Sequence, residues 1–428
     1  MRAAILKNAL KVCIGIAIVM VAWLGLHQSP AIALSEDQKL IAEVWRIVSR
    51  AYIDETFNHQ NWWFVRQELL KQNFTNREEA YQAIQEMLES LEDPYTRLLR
   101  PEQYRMLQTN TSGEITGVGL QIAKDKNTAH LMVIAPVEGS PAAEIDIQPK
   151  DVITSIDGIA TDTLTLDEAA QRMRGRIGTS VILTLKRQGR RPFEISVVRD
   201  RISLNPVTAE LRSPPDGTQI GYLRLSQFNS NAPRDLTDAI VQQMADGADA
   251  YVLDLRNNPG GLLQAGSAIA RLWLDDGTIV YTVNRQGVFE SFDAFGTAIT
   301  DAPLAVLVNQ GTASASEILA GALQDSGRAA LVGETTFGKG LIQSLFDLSD
   351  GAGLAVTVAK YETPNHRDIN VSGIKPDYRV TLPAPIRREQ MGTDDDRQYL
   401  VAVQQLQRQL ASIDQSQDST HALTHSAG

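Results

Sequence analysis

The sequence predicts a multidomain chain of α/β and α+β class, with a helical N-terminal region, a small β domain and a core containing βαβ units. Three observations lead there. The 428 residues and their 43% hydrophobic content provide for about three domains with cores of their own. The apolar pattern is helical up to about residue 107, short-stranded and rich in glycine over 113–200, and alternates strand with helix from Ile202 onward. Finally, the apolar run 303–308 leads through Gly311-Thr-Ala-Ser-Ala-Ser-Glu317 into a helical repeat over 315–323, and a second apolar run at 329–332 follows.

In chain order, residues 1–33 read as an export signal. Arg2, Lys7 and Lys11 precede an apolar run over 12–26, and Ala31-Ile-Ala33 offers a cleavage site, so that the mature chain begins near Leu34. The alternative is an uncleaved anchor, but the run is shorter than the roughly 18 residues that a span needs. Over 34–112, the boxes Ser35-Glu-Asp-Gln38 and Asn76-Arg-Glu-Glu79 open two amphipathic helices. Trp62 and Trp63 are assigned to packing, and the turn Asp93-Pro-Tyr-Thr-Arg97 to no chemistry. The β domain spans 113–200. Gly117-Val118-Gly119-Leu120 opens an alternating run there, and a helix from Leu166 places Ala169, Ala170 and Met173 with Leu166 on one face. Ile122 stands where a dinucleotide fingerprint needs its third glycine.

The core occupies 201–382: strand 220–225, helix 233–244, strand 251–255 and helix 262–274, then the serine unit and a hairpin of 341–348 with 354–361. Residues 383–428 supply a terminal helix over 394–413 and a polar tail, expected to be unstructured, from Asp414.

Chemistry concentrates around Ser314 and Lys339. A right-handed crossover makes the strands at 303–308 and 329–332 parallel, so both residues leave from carboxyl ends at one sheet edge. Serine needs a neighbour to take its proton, and only a neutral amine can do so. At a reference pKa of about 10.4 fewer than about one lysine in a thousand is neutral at pH 7, and burial lowers that pKa by up to roughly 3 units. Ser314-Ala-Ser-Glu317 also fits a capping box. The two roles coexist, because a helix start offers the N–H of Ala315 to a developing oxyanion. Gly260 or Gly261, in the turn 257–261 at the same sheet edge, could donate the second N–H.

Gly311-Thr-Ala-Ser-Ala-Ser-Glu317, Gly333-Glu-Thr-Thr-Phe-Gly-Lys-Gly340, Gln343 and Asp254-Leu-Arg-Asn-Asn-Pro-Gly-Gly261 together resemble the carboxyl-terminal processing proteases, serine endopeptidases with an embedded PDZ domain. The likeness runs from about residue 36 to 382 and is strongest to the branch that trims a photosystem II reaction-centre precursor. It implies Ser314 as nucleophile, Lys339 as base and Gln343 as the third polar partner, with Ser316 outside the catalytic set. It also implies that Gly117, Val118, Gly119 and Leu120 form a loop binding a chain-terminal carboxylate, with peptide added along a strand edge. Lys150 stands where the family usually has glycine. The resemblance further implies, as partner, the C-terminal tail of an exported protein, either free or membrane-bound, in a thylakoid lumen or periplasm.

Other chemistries are set aside by composition. A net charge of −11 without a basic cluster argues against nucleic acid. Cys13 is the only cysteine and lies in the leader. No motif calls for a metal or cofactor: among six histidines none sits in H-E-x-x-H, and no G-x-S-x-G occurs. Asp325-Ser-Gly327 reads as a helix stop. The rival from another class is an exported scaffold that binds protein C-termini with an inactive peptidase-like domain. Such a scaffold would not need Lys339.

Overall fold

The computed structural model describes residues 34–425 apart from 126–129, 138, 288 and 385, so the leader with Cys13 lies outside the described residues. Helix α1 (Glu36–Ala51) starts where Ser35 Oγ accepts the Gln38 N–H and the Gln38 side chain returns to the Ser35 N–H. Its buried stripe of Leu40, Ile41, Val44 and Val48 meets α2 (Trp62–Leu70) and α3 (Arg77–Glu89) in one apolar cluster. Trp62 is in that cluster, but Trp63 is 60% exposed, against the expectation of packing for both. Adjacent helical residues point about 100° apart, and only one can face inward. Strand β1 (Arg97–Leu99) and helix α4 (Pro101–Ser112) complete the region.

The β domain hangs from a two-stranded neck, β2 (Glu114–Gly117) paired with β9 (Asp200–Ser203). Between them β3 (Leu120–Lys124), β4 (Leu131–Pro136), β5 (Val152–Ile156), β7 (Ser180–Lys186) and β8 (Phe193–Val198) form a sheet in that order, with β6 (Ile159–Ala160) on β5. Helix α5 (Leu166–Met173) buries Ala169 and Met173, and Leu166, at its first position, is 39% exposed. Lys150 adopts φ +73°, the left-handed region that favours glycine. The next residue, Asp151, is buried and held by Arg187 Nε at 2.7 Å, which fixes the turn.

In the core, β10 (Val207–Arg212), β11 (Ile220–Leu225), β12 (Ala250–Asp254), β15 (Leu304–Val308), β16 (Ala329–Gly333) and β19 (Tyr378–Arg379) form one sheet, parallel from β11 onward. Both faces are covered, which is why β12 and β15 are buried at every residue. Helices α6 (Ala232–Ala245), α7 (Leu263–Ala270) and α8 (Ala315–Asp325) pack on one face, and α9 (Arg397–His425) on the other. Each fully buried Leu, Ile or Val in these layers contributes about 1.5–3 kcal/mol.

A second sheet joins β13 (Thr278–Asn284), β14 (Phe289–Asp293), β17 (Leu341–Asp347) and β18 (Gly353–Glu362) with β1. The hairpin of β13 and β14 is absent from the sequence reading, where α7 led straight to residue 303. Helix α9 also runs on to His425, so the tail from Asp414 is helical instead of unstructured. Once Tyr399, Val403 and Leu406 anchor the first turns, adding residues costs little, because nucleation is the unfavourable step. No helix among the described residues is long and apolar enough to cross a membrane.

Candidate active site

The turn after β15 is held to the turn after β12 by side chains. Asn309 Oδ1 accepts N–H groups from Asn257 at 2.9 Å and Gly311 at 3.0 Å, and Thr312 Oγ1 donates to the Leu255 carbonyl at 2.9 Å. A Cβ on Gly311 would lie 2.9 Å from Asn257 Cα, so only glycine fits there. Ser314 follows at φ +58°, ψ −119°, a conformation that costs a non-glycine residue about 1–3 kcal/mol and is found at functional sites. Its hydroxyl makes no cap hydrogen bond and its residue is half-buried. Ser316 is fully buried, with Oγ donating to the Asn258 carbonyl at 3.0 Å. Of the two serines, only Ser314 has a hydroxyl free to react.

Glu317 joins this turn to the lysine loop. The side chain is fully buried in the first turn of α8. Its Oε2 accepts the Ser314 N–H at 2.8 Å and the Lys339 N–H at 2.9 Å; Oε1 accepts Thr336 Oγ1 at 2.6 Å and the Gly338 N–H at 2.7 Å. One carboxylate therefore fixes the backbones of the serine and the lysine together. The sequence reading took Glu317 as a capping residue. The signal available in the sequence is its place beside Ile318 and Leu319 in an otherwise apolar helix.

Lys339 is half-buried, and its Nζ lies 4.8 Å from the centroid of the Tyr95 ring. Burial holds its pKa below the usual lysine value; Arg97 adds to this, while Asp93 and Glu317 oppose it. No hydrogen bond joins Lys339 Nζ to Ser314 or to Gln343 among the described residues. Gln343 sits beside a bulge in β17 and its Nε2 donates to Thr357 Oγ1 at 3.3 Å. Thr357 N–H in turn donates to Thr96 Oγ1 at 3.0 Å, so Gln343 is tied to the turn at 93–97 rather than to the lysine.

Gly260 approaches Ser314 so closely that a Cβ there would lie 2.9 Å from both Ser314 Cβ and the Ala315 nitrogen. Its N–H donates to Asn258 Oδ1 at 2.9 Å. Gly261, at φ +147°, would place a Cβ 2.2 Å from the Phe228 carbonyl oxygen. This turn is anchored below by a buried ionic cluster. Arg256 Nε reaches Asp254 Oδ1 at 2.9 Å, its two terminal nitrogens reach Asp396 at 3.0 and 2.6 Å, and Tyr222 Oη donates to Asp254 at 2.7 Å. Burial alone would weaken the Arg256 charge, but Asp254 and Asp396 outweigh it and raise its pKa.

The model of peptidase family S41 matches residues 219–380, and that of the PDZ domain matches 132–187. A carboxyl-terminal-processing protease of Picosynechococcus sp. is 58% identical over 390 residues, covering 91% of this chain and 94% of that protein. The chain is a carboxyl-terminal processing protease of peptidase family S41. The chloroplastic carboxyl-terminal-processing peptidase 2 of Arabidopsis thaliana is 47% identical, across 83% of this protease and 71% of its own length. A solved photosystem II D1 C-terminal processing protease superposes with a TM-score of 0.55 at 40% identity, over 84% of this chain and 98% of that one.

In the PDZ domain of the protease, a cleft of about 80 Å³ runs between β3 and α5, lined by Gly117, Val118, Gly119, Leu120, Ala170 and Met173. The loop is held from behind: the Val118 carbonyl accepts the Ala142 N–H at 2.8 Å, and the Gly119 carbonyl accepts the Val137 N–H at 2.8 Å. Among the described residues strand β3 pairs with β4 alone, and its other edge lies along the cleft.

Proposed function

We propose that the protease removes a C-terminal extension from an exported protein through a Ser314–Lys339 dyad and an acyl-enzyme. The observation that carries this reading is the buried Glu317 carboxylate, bonded at once to the backbone of the nucleophile turn and of the lysine loop. Neutral Lys339 would take the Ser314 proton as Oγ attacks the scissile carbonyl and give it to the amine as the C–N bond breaks; neutral again, the same nitrogen would take a proton from water attacking the ester and return it to Ser314 Oγ as the acid product leaves. The N–H of Ala315 opens α8 and faces the developing oxyanion. Gly261 is the better second donor, because the Gly260 N–H is already committed to Asn258. Gln343 would act on the lysine only at second hand, by bracing through Thr357 and Thr96 the turn at 93–97 that Lys339 faces.

The edge of β3 along the cleft would take the substrate tail by strand addition, with its carboxylate at Gly117–Leu120. Likeness to cyanobacterial and chloroplastic relatives, and to the D1 processing protease, supports a photosystem II reaction-centre precursor as substrate and a thylakoid lumen or periplasm as the place of action. Residues 1–33 would direct that export.

The test is the mass of a D1-type precursor before and after incubation with the mature protease. One cut releasing the extension is expected, and it should vanish in Ser314→Ala and in Lys339→Ala. Cleavage that survives Ser314→Ala would remove the proposed nucleophile.

A further inference from the structure

The turn Asp93-Pro-Tyr-Thr-Arg97 belongs to the N-terminal helical region, far from the serine motif in sequence, yet it meets the lysine. It is a built feature. Asp93 Oδ1 accepts the Tyr95 N–H at 3.0 Å, Asp93 Oδ2 accepts Thr96 Oγ1 at 2.6 Å, and Thr96 Oγ1 accepts the Thr357 N–H from β18 at 3.0 Å. These bonds fix the half-buried ring of Tyr95 with Lys339 Nζ 4.8 Å from its centroid. In this arrangement Lys339 makes no hydrogen bond to Ser314.

An aromatic face attracts an ammonium through its quadrupole and has no such hold on a neutral amine. We propose that Tyr95 is a positioning residue for the base: its ring holds the protonated Lys339 away from Ser314 and releases the neutral amine to it. Position and protonation are thereby linked, so that the lysine reaches the nucleophile only in the form that can accept a proton. The inference rests on the Ser314–Lys339 reading.

The other groups around the amine are Asp93 and Arg97 from the same turn, Glu317 from α8 and, next to Ser314, Tyr361 from β18, whose Oη donates to the Ser314 carbonyl at 3.2 Å. Arg97 disfavours the charged lysine, and Asp93 and Glu317 favour it. The ring adds to the second group. Removing it while keeping apolar bulk should therefore lower the lysine pKa, and activity, which needs the neutral amine, should extend to lower pH.

The experiment compares kcat/KM against pH for the wild type, Tyr95→Phe and Tyr95→Leu. The acid limb of Tyr95→Leu is expected to move down by about 0.4–1.5 pH units, the range that a cation–π contact supports; Tyr95→Phe, which keeps the ring, should stay at the wild-type position. A limb that does not move in Tyr95→Leu, or moves upward as water enters, overturns the proposal.

A second readout does not depend on turnover. In the Ser314→Ala protein, the pH midpoint for acetylation of Lys339 by acetic anhydride, followed by peptide mass, should drop by the same amount when Tyr95→Leu is added. An unchanged midpoint overturns the proposal even if Tyr95→Leu folds poorly enough to confuse the kinetics. Failure of the dyad itself has a different signature: full turnover in Lys339→Ala.

Discussion

Glu317 concentrates four hydrogen bonds on one buried carboxylate, three of them from backbone N–H groups of residues 314, 338 and 339. Glu317→Gln offers an amide where two donors now point. We predict a loss of about 2 kcal/mol in stability, the cost of leaving a buried donor unmet, and a fall in kcat of at least about tenfold, read from urea unfolding and precursor cleavage on the same preparation. Ser316→Ala should keep most activity while losing about 1 kcal/mol with its bond to Asn258.

Lys339 makes a pH-dependent contribution as well. Its folded-state pKa is below that of the unfolded chain, so the folded state carries a penalty for the charge at neutral pH. The penalty is relieved as pH rises from the folded value towards the ordinary 10.5. Lys339→Met should accordingly unfold at higher urea than wild type at pH 7, with the gap narrowing at pH 10.

At this scale the sequence exposed Ser314 and Lys339 because their motifs are short and local. It could not expose Tyr95 or the Gln343–Thr357–Thr96 chain, whose members meet only after distant segments pair.

Among the elements, the strand-turn-helix unit was readable because β15, α8 and β16 are each uniform in period and bounded by turn residues. The hairpin of β13 and β14 was not. Its strands, TIVYTVN and FESFD, are short and partly polar, and the hairpin they form joins the sheet only through β13, where Tyr281 aligns with the distant Glu362 of β18. Local pattern carries no information on such pairing.

Lys150 offers a test confined to one turn. Lys150→Gly should stabilise the PDZ unfolding transition by about 1 kcal/mol, since glycine adopts φ +73° without a Cβ penalty. Gly119→Ala should act the opposite way. Its Cβ would lie 2.1 Å from Ser140 Cβ, so the carboxylate loop must shift, and binding of a C-terminal peptide, measured by fluorescence anisotropy, should weaken at least about tenfold.

Across the whole molecule, α9 does more than cover the sheet. Asp396, just before its start, supplies both carboxylate oxygens to Arg256, and Gln398 Oε1 accepts a further bond from it. Asp396→Asn leaves a fully buried guanidinium with one carboxylate partner, and we predict a loss of about 3 kcal/mol together with reduced cleavage, because Arg256 precedes the turn at 257–261. Deleting 113–200 tests the PDZ domain at the same scale: cleavage should lose its preference for free carboxyl termini, and unchanged selectivity would dismiss the domain from substrate choice.

The pairing of β1 with β18 has a consequence for how the chain can be divided. Arg97–Leu99 aligns with Gly353–Ala355, so a strand from the first quarter of the sequence completes a sheet whose other members all lie between residues 278 and 362. A protease clipped within its PDZ domain, in the turn 187–192 between β7 and β8 for example, should stay assembled as two noncovalent pieces that copurify, and separately expressed halves are candidates for reconstitution.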